Sequence, residues 1–526
     1  MEALGESAFR QADDSGEIGM LPLDVLFVTA NSSQKAYQAL AAVHSAIEPP
    51  TWSLLLSQAM RTNGYSVAIL DCDALRLTDE QSVDQITHLN PRLVCFVLYG
   101  QNPNASTTSM IGATSVAAKL KEARSDVKIC FVGSHISALP HEVIQYDFVD
   151  FVLINEGVYA LQGLLATNLR DHLEKVPGIG FRNDDGKPVL TGGARLVPHE
   201  RMDQDMPGYA WDLLPKDKEP LDLYRAHFWH TNFSHEKRTP FAAIYTSLGC
   251  QFGCNFCMIN IINRTNTRPD AHAADFRGMR FWSPELILKE FETLASYGVE
   301  TLRISDEMFF LNRKYYVPIL EGLIERGLKF NLWAYARVDA IRADQLRLFK
   351  QAGINWLCLG IEAGNEKVRL DIEKGRFEDI NIRHVVKLIE DHGIEVLGNY
   401  IFGLPEDTIG TMQQTLDLAL ELNTAHANFY PCTALPGSPL YFQAKAEGWE
   451  LPNAFEEYAF LSYECKPLPT RYVPAADVLR FRDTAWKRYF SNPDYLALIA
   501  KKFGPSQRHN IEDMSRINLK RRLLGD

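Results

Sequence analysis

Over the first third of the chain, short apolar runs of strand length recur at residues 23–30, 66–71, 93–99, 128–133 and 148–155. Between them, at 51–63, 79–88, 108–124 and 141–146, and again at 158–169, apolar residues return with helical spacing. Five strands joined by helices predict a doubly wound, Rossmann-like α/β sheet of the flavodoxin type, which receives ligands beyond the carboxyl ends of its strands. The pattern then dissolves. A hairpin is predicted at 178–189, turning on Asp184-Asp185-Gly186, within a Pro-rich, aromatic linker.

Alternation resumes near residue 238. Strands are predicted at 241–247, 300–305, 330–337, 356–361, 396–402 and 427–431, and helices at 284–297, 314–326, 343–352, 380–392 and 408–422. Six βα units predict a partial barrel whose chemistry sits at the carboxyl ends of the strands. Beyond 443 the chain reads as a helical cap, with residues 478–490 its clearest helix. The predicted plan is an unstructured segment 1–20, an α/β domain 21–170, a linker 171–237, a partial (β/α)6 barrel 238–441 and a helical C-terminal domain 442–526. Trp229 and His230 are secondary site candidates because their linker borders both α/β regions; packing is the simpler role for them and for Tyr209, Trp211, Tyr224 and Phe228.

Composition changes this picture little. The longest apolar runs fall far short of the roughly 20 residues of a membrane-spanning helix, and the polar N-terminus is unlike a secretory signal, so a cytoplasmic location is expected. A net charge of −12 argues against nucleic acid as a partner. The charge is uneven: residues 471–526 carry twelve Lys or Arg against six Asp or Glu. A cationic cap resting on an acidic body accounts for it.

The nine cysteines fall into two groups. Six are scattered singly among apolar residues, as core cysteines are. The other three form Cys250-Gln-Phe-Gly-Cys254-Asn-Phe-Cys257. Soft thiolates bind iron, and a cubic cluster held by three cysteines keeps one iron open for a substrate. The competing reading, a structural zinc site, wants a fourth protein ligand, for which His272 is the nearest candidate.

The C-x3-C-x2-C spacing resembles the signature of radical S-adenosylmethionine (SAM) enzymes, and the rims of the following strands extend the likeness. Arg303-Ile-Ser305-Asp306-Glu307 resembles the position that grips the SAM amine, and Gly360-Ile-Glu362-Ala-Gly364 resembles the family's Gly-Ile-Glu-Ser-Gly. The stretch Asn399-Tyr-Ile-Phe-Gly-Leu404-Pro resembles the adenine-side loop. The resemblance implies that Cys250, Cys254 and Cys257 hold a [4Fe-4S] cluster and that Phe256 lies beside the adenine. It further implies that Ser305, Asp306, Glu307, Arg337, Glu362, Asn399 and Leu404 bind SAM, with Arg337 pairing with its carboxylate.

The N-terminal domain in turn resembles the cobalamin (B12)-binding module that precedes many radical SAM cores. Gly133-Ser134-His135 stands where that module has Gly-Gly-x-His, with Val132 in place of the first glycine, and Asn155-Glu156-Gly157 stands where it has Gly-Glu-Gly. With Asn31, Gly100 and Gln101, these residues are the expected cobalamin contacts. Many such modules place a cobalt-ligating histidine after the first strand; here Thr29-Ala-Asn-Ser-Ser-Gln34 has none. Either cobalamin binds without that ligand, or the fold survives without cobalamin.

The class the chain resembles includes cobalamin-dependent radical methyltransferases and the anaerobic magnesium-protoporphyrin monomethyl ester cyclase. The implied activity is transfer of a methyl group from methylcobalamin to an unactivated carbon by way of a 5′-deoxyadenosyl radical. Cyclisation, oxidation or rearrangement on the same scaffold is the alternative, and a noncatalytic cobalamin or redox sensor is the second. The implied partners are a small-molecule or biosynthetic-intermediate substrate and an electron donor such as flavodoxin or ferredoxin.

Overall fold

The computed structural model describes residues 10–12, 18–20, 23–372 and 380–526. Within the segment expected to lack order, Arg10–Ala12 pairs antiparallel with Ile18–Met20; the rest of residues 1–20 lies outside the described residues. The chain forms two units, each assembled from separate stretches.

The first unit comprises the chain to Ser32, Pro49–Tyr224 and Ile261–Ala271. Its sheet contains Val25–Thr29 (β1), Val67–Asp71 (β2), Leu93–Leu98 (β3), Lys128–Gly133 (β4) and Phe151–Leu153 (β5), parallel in the order β2-β1-β3-β4-β5. This is the expected flavodoxin-like arrangement. Strands β2 and β3 are buried at every position, as apolar parallel strands covered by crossover helices are. The hairpin expected in the linker instead extends this sheet: Ile179–Arg182 (β6) runs antiparallel to β5, and Pro188–Leu190 (β7) pairs with β6. Its apolar inner residues make that edge worth burying, and Gly186, at φ +74°, supplies the left-handed turn.

The second unit comprises Ser33–Glu48, Arg225–Asn260 and His272–Asp526. Six parallel strands form its half-barrel: Phe241–Ile244 (β8), Thr301–Ile304 (β11), Asn331–Arg337 (β12), Ile354–Glu362 (β13), Glu395–Phe402 (β14) and His426–Pro431 (β15), in that order. The predicted strand 241–247 breaks in two. After β8 the chain turns at Tyr245 and Thr246, and Ser247–Cys250 (β9) pairs with Gly278–Phe281 (β10) outside the main sheet. Helices Ala475–Phe490, Pro493–Phe503 and Pro505–Ser515 complete the unit.

Trp229 lies in an aromatic layer, its ring 5.3 Å from Trp333, 5.2 Å from Trp356 and 5.9 Å from His426. His230 is buried, with Nε2 2.9 Å from the Asn331 carbonyl. Both are thus packing residues.

The segment Ser33–Glu48 is a strap fastened by cations. Arg225 donates to the carbonyls of Ala41, Ala42 and Ser45, and Arg238 to those of Val43 and Ser45, at 2.5–3.1 Å. At the strap's end Glu48 forms a buried ion pair with Arg303 of β11, at 2.6 Å. Glu48 also lies 3.3 Å from His227 Nε2. The Arg303 guanidinium stands 4.7 Å from the Trp333 ring centroid and donates to the Tyr335 hydroxyl at 3.2 Å. No residue of this network was a site candidate in the sequence, since Glu48 and Arg303 lie 255 positions apart.

Candidate functional site

Cys250 ends β9, and Cys254 and Cys257 follow in an irregular loop; all three are partly exposed. Asn260 staples this loop. Its side chain accepts from the Cys250 amide at 2.8 Å and donates to the Phe252 carbonyl at 2.9 Å. The Cys250 sulfur accepts from the Phe252 amide at 3.4 Å, and the Cys257 amide donates to the Cys254 carbonyl at 3.1 Å. Burial pushes the Cys250 thiol up to about 12, with Glu307 and Cys254 adding to the shift and Arg337 opposing it. Cys257 is pushed well up for the same first reason. A metal that binds here must displace protons from the thiols, as thiolate-ligated metals do. Phe256 is half-buried within the loop.

His272, the fourth donor a zinc ion would recruit, is drawn into its own turn, with Nδ1 3.5 Å from Asp275. It also packs against Phe442, ring centroids 6.1 Å apart.

Two predicted SAM ligands are engaged within the protein. Asp306 is buried and accepts from the Thr246 amide at 2.5 Å, the Thr246 hydroxyl at 2.6 Å and the Ser247 hydroxyl at 2.5 Å. It therefore fixes the turn from β8 into the cysteine-bearing strand. Burial raises its carboxyl to about 6 despite those donors. Arg337 forms a bidentate pair with Asp339, Nε at 2.8 Å and Nη2 at 2.7 Å. Its guanidinium also stacks 3.9 Å from the Phe252 ring centroid, bracing the cysteine loop by a cation–π contact.

Ser305 and Glu307 differ. The Ser305 hydroxyl and Glu307 Oε1 are sequestered from solvent with no hydrogen-bond partner among the described residues. Burial, and secondarily Asp306, raises Glu307 to about 8, while Arg303 pulls the other way. A buried carboxylate oxygen without a donor is an open acceptor for an incoming ammonium or hydroxyl.

Glu362 closes β13 at φ +64°, where the register with β14 shifts between Gly360 and Glu362. A left-handed glutamate at a bulge is strained, and bulges re-aim side chains beside active sites. Next to it Gly364 is obligatory, because a Cβ there would meet the Gln414 carbonyl at 2.4 Å. On β14, Asn399 accepts from Asn428 at 3.0 Å. Leu404 is buried in the following turn, its amide donating to Asp407 at 3.0 Å.

The cobalamin candidates in the first unit lie where expected, at the carboxyl ends of strands. Asn31 and Ser32 follow β1 and press on a helical glycine: a Cβ on Gly112 would meet the Asn31 carbonyl at 2.5 Å, and the Gly112 amide donates to the Ser32 hydroxyl at 3.0 Å. Gly100, at φ +64°, and Gln101 follow β3. Gly133 ends β4 so close to β3 that a Cβ would meet the Leu98 carbonyl at 2.2 Å. Helix Ser134–Ala138 starts there and is wholly buried. The Ser134 hydroxyl has no partner among the described residues, and His135 Nδ1 lies 3.1 Å from the Thr107 hydroxyl. Burial holds His135 down at about 4, so it is neutral near pH 7.

The third loop is more internal than its motif implied. Asn155 donates to the carbonyls of Arg264 at 3.2 Å and Arg195 at 3.3 Å, and accepts from the Gly157 amide at 3.0 Å. Glu156, fully buried, accepts from the Val197 amide at 2.5 Å. Their side chains shape the cradle from within; Gly157, at φ +81°, keeps clear of Val132.

The family model of the Radical SAM superfamily matches residues 244–419, and that of the B12 binding domain matches residues 37–165. The chain is a B12-binding-domain radical SAM protein. It is 25% identical to an uncharacterized methyltransferase of Pyrococcus horikoshii over 80% of this chain and 83% of that one. It is 25% identical to the anaerobic magnesium-protoporphyrin IX monomethyl ester cyclase of Rubrivivax gelatinosus over 90% of this chain and 78% of that one. Among solved structures, the radical SAM methyltransferase TsrM of Kitasatospora setae, with cobalamin and a [4Fe-4S] cluster bound, superposes with a TM-score of 0.64 at 16% identity. That match covers 94% of this chain and 99% of TsrM, and it shows the shared fold.

The cofactors of this radical SAM protein are those of its family: a [4Fe-4S] cluster, SAM and cobalamin. The residues present fit them. Three thiols share one stapled loop. The Ser305 hydroxyl and Glu307 Oε1 on the rim of β11, and the Ser134 hydroxyl at the glycine-lined strand ends of the first unit, lack a hydrogen-bond partner among the described residues. Asn260, Asp339 and Arg264 escaped the sequence reading because each acts on the backbone or on another side chain rather than within a motif. No helix among the described residues is long and apolar enough to cross a membrane.

Proposed function

We propose that this protein is a cobalamin-dependent radical SAM methyltransferase acting on an unactivated carbon of a small-molecule substrate. The observation that carries this reading is the union in one chain of a three-thiolate loop and a B12-binding domain, in company with relatives named as methyltransferases. When bound, the cluster and SAM supply a 5′-deoxyadenosyl radical, and cobalamin supplies the methyl group.

The chain's own residues divide the work. Cys250, Cys254 and Cys257 hold iron. Asn260 and Arg337 keep their loop in shape, and Asp306 fixes the strand that delivers Cys250. Glu307 accepts the SAM ammonium, assisted by Ser305, and Glu362, Asn399, Leu404 and Phe256 border the rest of SAM. In the first unit, Asn31, Gly100, Gln101, Gly133, Ser134 and Gly157 form the cobalamin surface, with Asn155 and Glu156 behind it. His135, buried and neutral, anchors its helix to Thr107. The loop after β1 offers cobalamin no histidine, and Asn31 would contribute to its binding surface there. The reducing electron comes from a flavodoxin or ferredoxin in the cytoplasm.

A second reading is favoured by the cyclase relative, which aligns over 90% of this chain. On that reading the substrate is oxidised or cyclised without net methylation. Anaerobically reconstituted protein given hydroxocobalamin, SAM, a reductant and candidate substrates separates the two. Methylation yields S-adenosylhomocysteine and 5′-deoxyadenosine together with a substrate heavier by one methylene. Cyclisation yields 5′-deoxyadenosine alone, and neither nucleoside product leaves the sensor reading.

A further inference from the structure

Arg264 belongs to no recognised motif, yet it is fully buried. No carboxylate among the described residues lies within ion-pairing distance of it. Its guanidinium is met by carbonyls: Nη1 donates to Ser137 at 2.6 Å and Ala138 at 3.1 Å, Nε to Asn266 at 2.7 Å and Nη2 to Arg268 at 2.5 Å. Burying a cation against neutral oxygens is expensive, and the best-attested return on such burial is the fixing of one arrangement over its alternatives.

The place of those carbonyls gives the arrangement its meaning. Ser137 and Ala138 end the five-residue helix whose first residues, Ser134 and His135, are cobalamin candidates. The Arg264 carbonyl is itself held by Asn155 of another cradle loop, at 3.2 Å. Thus two of the cradle's loops grip the backbone and side chain of one residue. His141 adds a third tie, its Nε2 3.3 Å from the Thr267 carbonyl. Four positions upstream on the same run of chain, joined through the short helical turn Ile259–Asn263, Asn260 staples the cysteine loop.

Resting on the function proposed above, we propose that Arg264 is a positioning residue for methyl transfer. It makes residues 261–271 part of the cradle's supporting wall, so that filling the cradle orders the stretch that leaves the cysteine loop.

Hydrogen–deuterium exchange on the full-length, cluster-reconstituted protein, with and without hydroxocobalamin, tests this directly. In the unmodified protein hydroxocobalamin should slow exchange in peptides covering 134–138 and, to a similar degree, 261–271. In Arg264→Lys, which keeps the charge and loses the planar fork, iron and sulfide content should be unchanged and protection at 261–271 lost. Arg347→Met, at an exposed arginine outside this stretch, should behave as the unmodified protein. In turnover, Arg264→Lys should still form 5′-deoxyadenosine within about twofold, while S-adenosylhomocysteine falls about tenfold or more, within the ordinary range of coupling between sites.

The proposal is overturned if hydroxocobalamin protects 134–138 without protecting 261–271, or if Arg264→Lys lowers both products equally. If the unmodified protein forms no S-adenosylhomocysteine with any substrate, the methyltransferase reading fails. The exchange data then still decide the role of Arg264.

Discussion

Removing Glu48 should destabilise the second unit through Arg303 rather than through the contacts Glu48 itself loses. The pair is 2.6 Å apart, with side chains 4% and 1% exposed, so neither charge is screened by water. Breaking such a pair from one side costs about 3–5 kcal/mol because the surviving charge stays buried and uncompensated. Arg303 keeps its contacts with the Trp333 ring and the Tyr335 hydroxyl, which places Glu48→Met toward the lower part of that range. Arg303→Met strands Glu48 in turn, with the His227 ring remaining 3.3 Å away. The double variant leaves no orphaned charge and should be milder than the sum of the singles by about 2 kcal/mol or more, the size of coupling found between residues in direct contact. Anaerobic urea unfolding of the apoprotein, followed by tryptophan fluorescence, reads the cycle, since Trp333 lies directly beneath the Arg303 guanidinium. Additivity within about 0.5 kcal/mol, or a cost for Glu48→Met below about 1 kcal/mol, would refute the reasoning.

Other consequences follow from the same structure. His135 and His426 are held by burial at about 4 and about 3, below their ordinary value of 6.5. Their stabilising effect is complete above pH 6.5 and drains away as pH falls toward those values, so melting temperature should drop over that window and drop less in His426→Asn. Asp306 runs the other way. Its carboxyl is raised to about 6 from 3.8, so its contribution is present below pH 4 and lost as pH rises through 6. In Asp306→Asn that loss should vanish, which melting curves at pH 4, 5, 6 and 7 would show. Glu307→Gln should weaken SAM binding about tenfold in equilibrium dialysis, the range of one charge-assisted hydrogen bond, with iron content unchanged. Gly157→Ala, strained at φ +81° and 2.8 Å from Val132, should lose hydroxocobalamin binding by visible absorption while the cluster still assembles.

The strand and helix pattern was readable because parallel strands buried on both faces write themselves as unbroken apolar runs, as in Leu93–Leu98. The cysteine loop was readable because metal chemistry constrains spacing along the chain. What escaped reading was decided by distant partners. The apolar stretch ending at Ser247 looks like one strand, yet Thr246, where it breaks, is held by the carboxylate of Asp306, some sixty residues on, and by the Tyr315 hydroxyl. Arg337 and Asn155 occupy family positions, yet Arg337 Nε and Nη2 pair with Asp339, and the Asn155 amide donates to the Arg264 and Arg195 carbonyls. A motif specifies which residue stands at a place and leaves open which neighbour holds it.

The strap Ser33–Glu48 and the loop Ile261–Ala271 are each encoded amid the sequence of one unit and built into the other. Severing the gene near residue 225 would therefore yield two fragments that each lack an internal piece. For the same reason, recombination that trades one α/β half for a homologous counterpart must carry both exchanged stretches along, or forfeit the Glu48 and Arg264 anchors together.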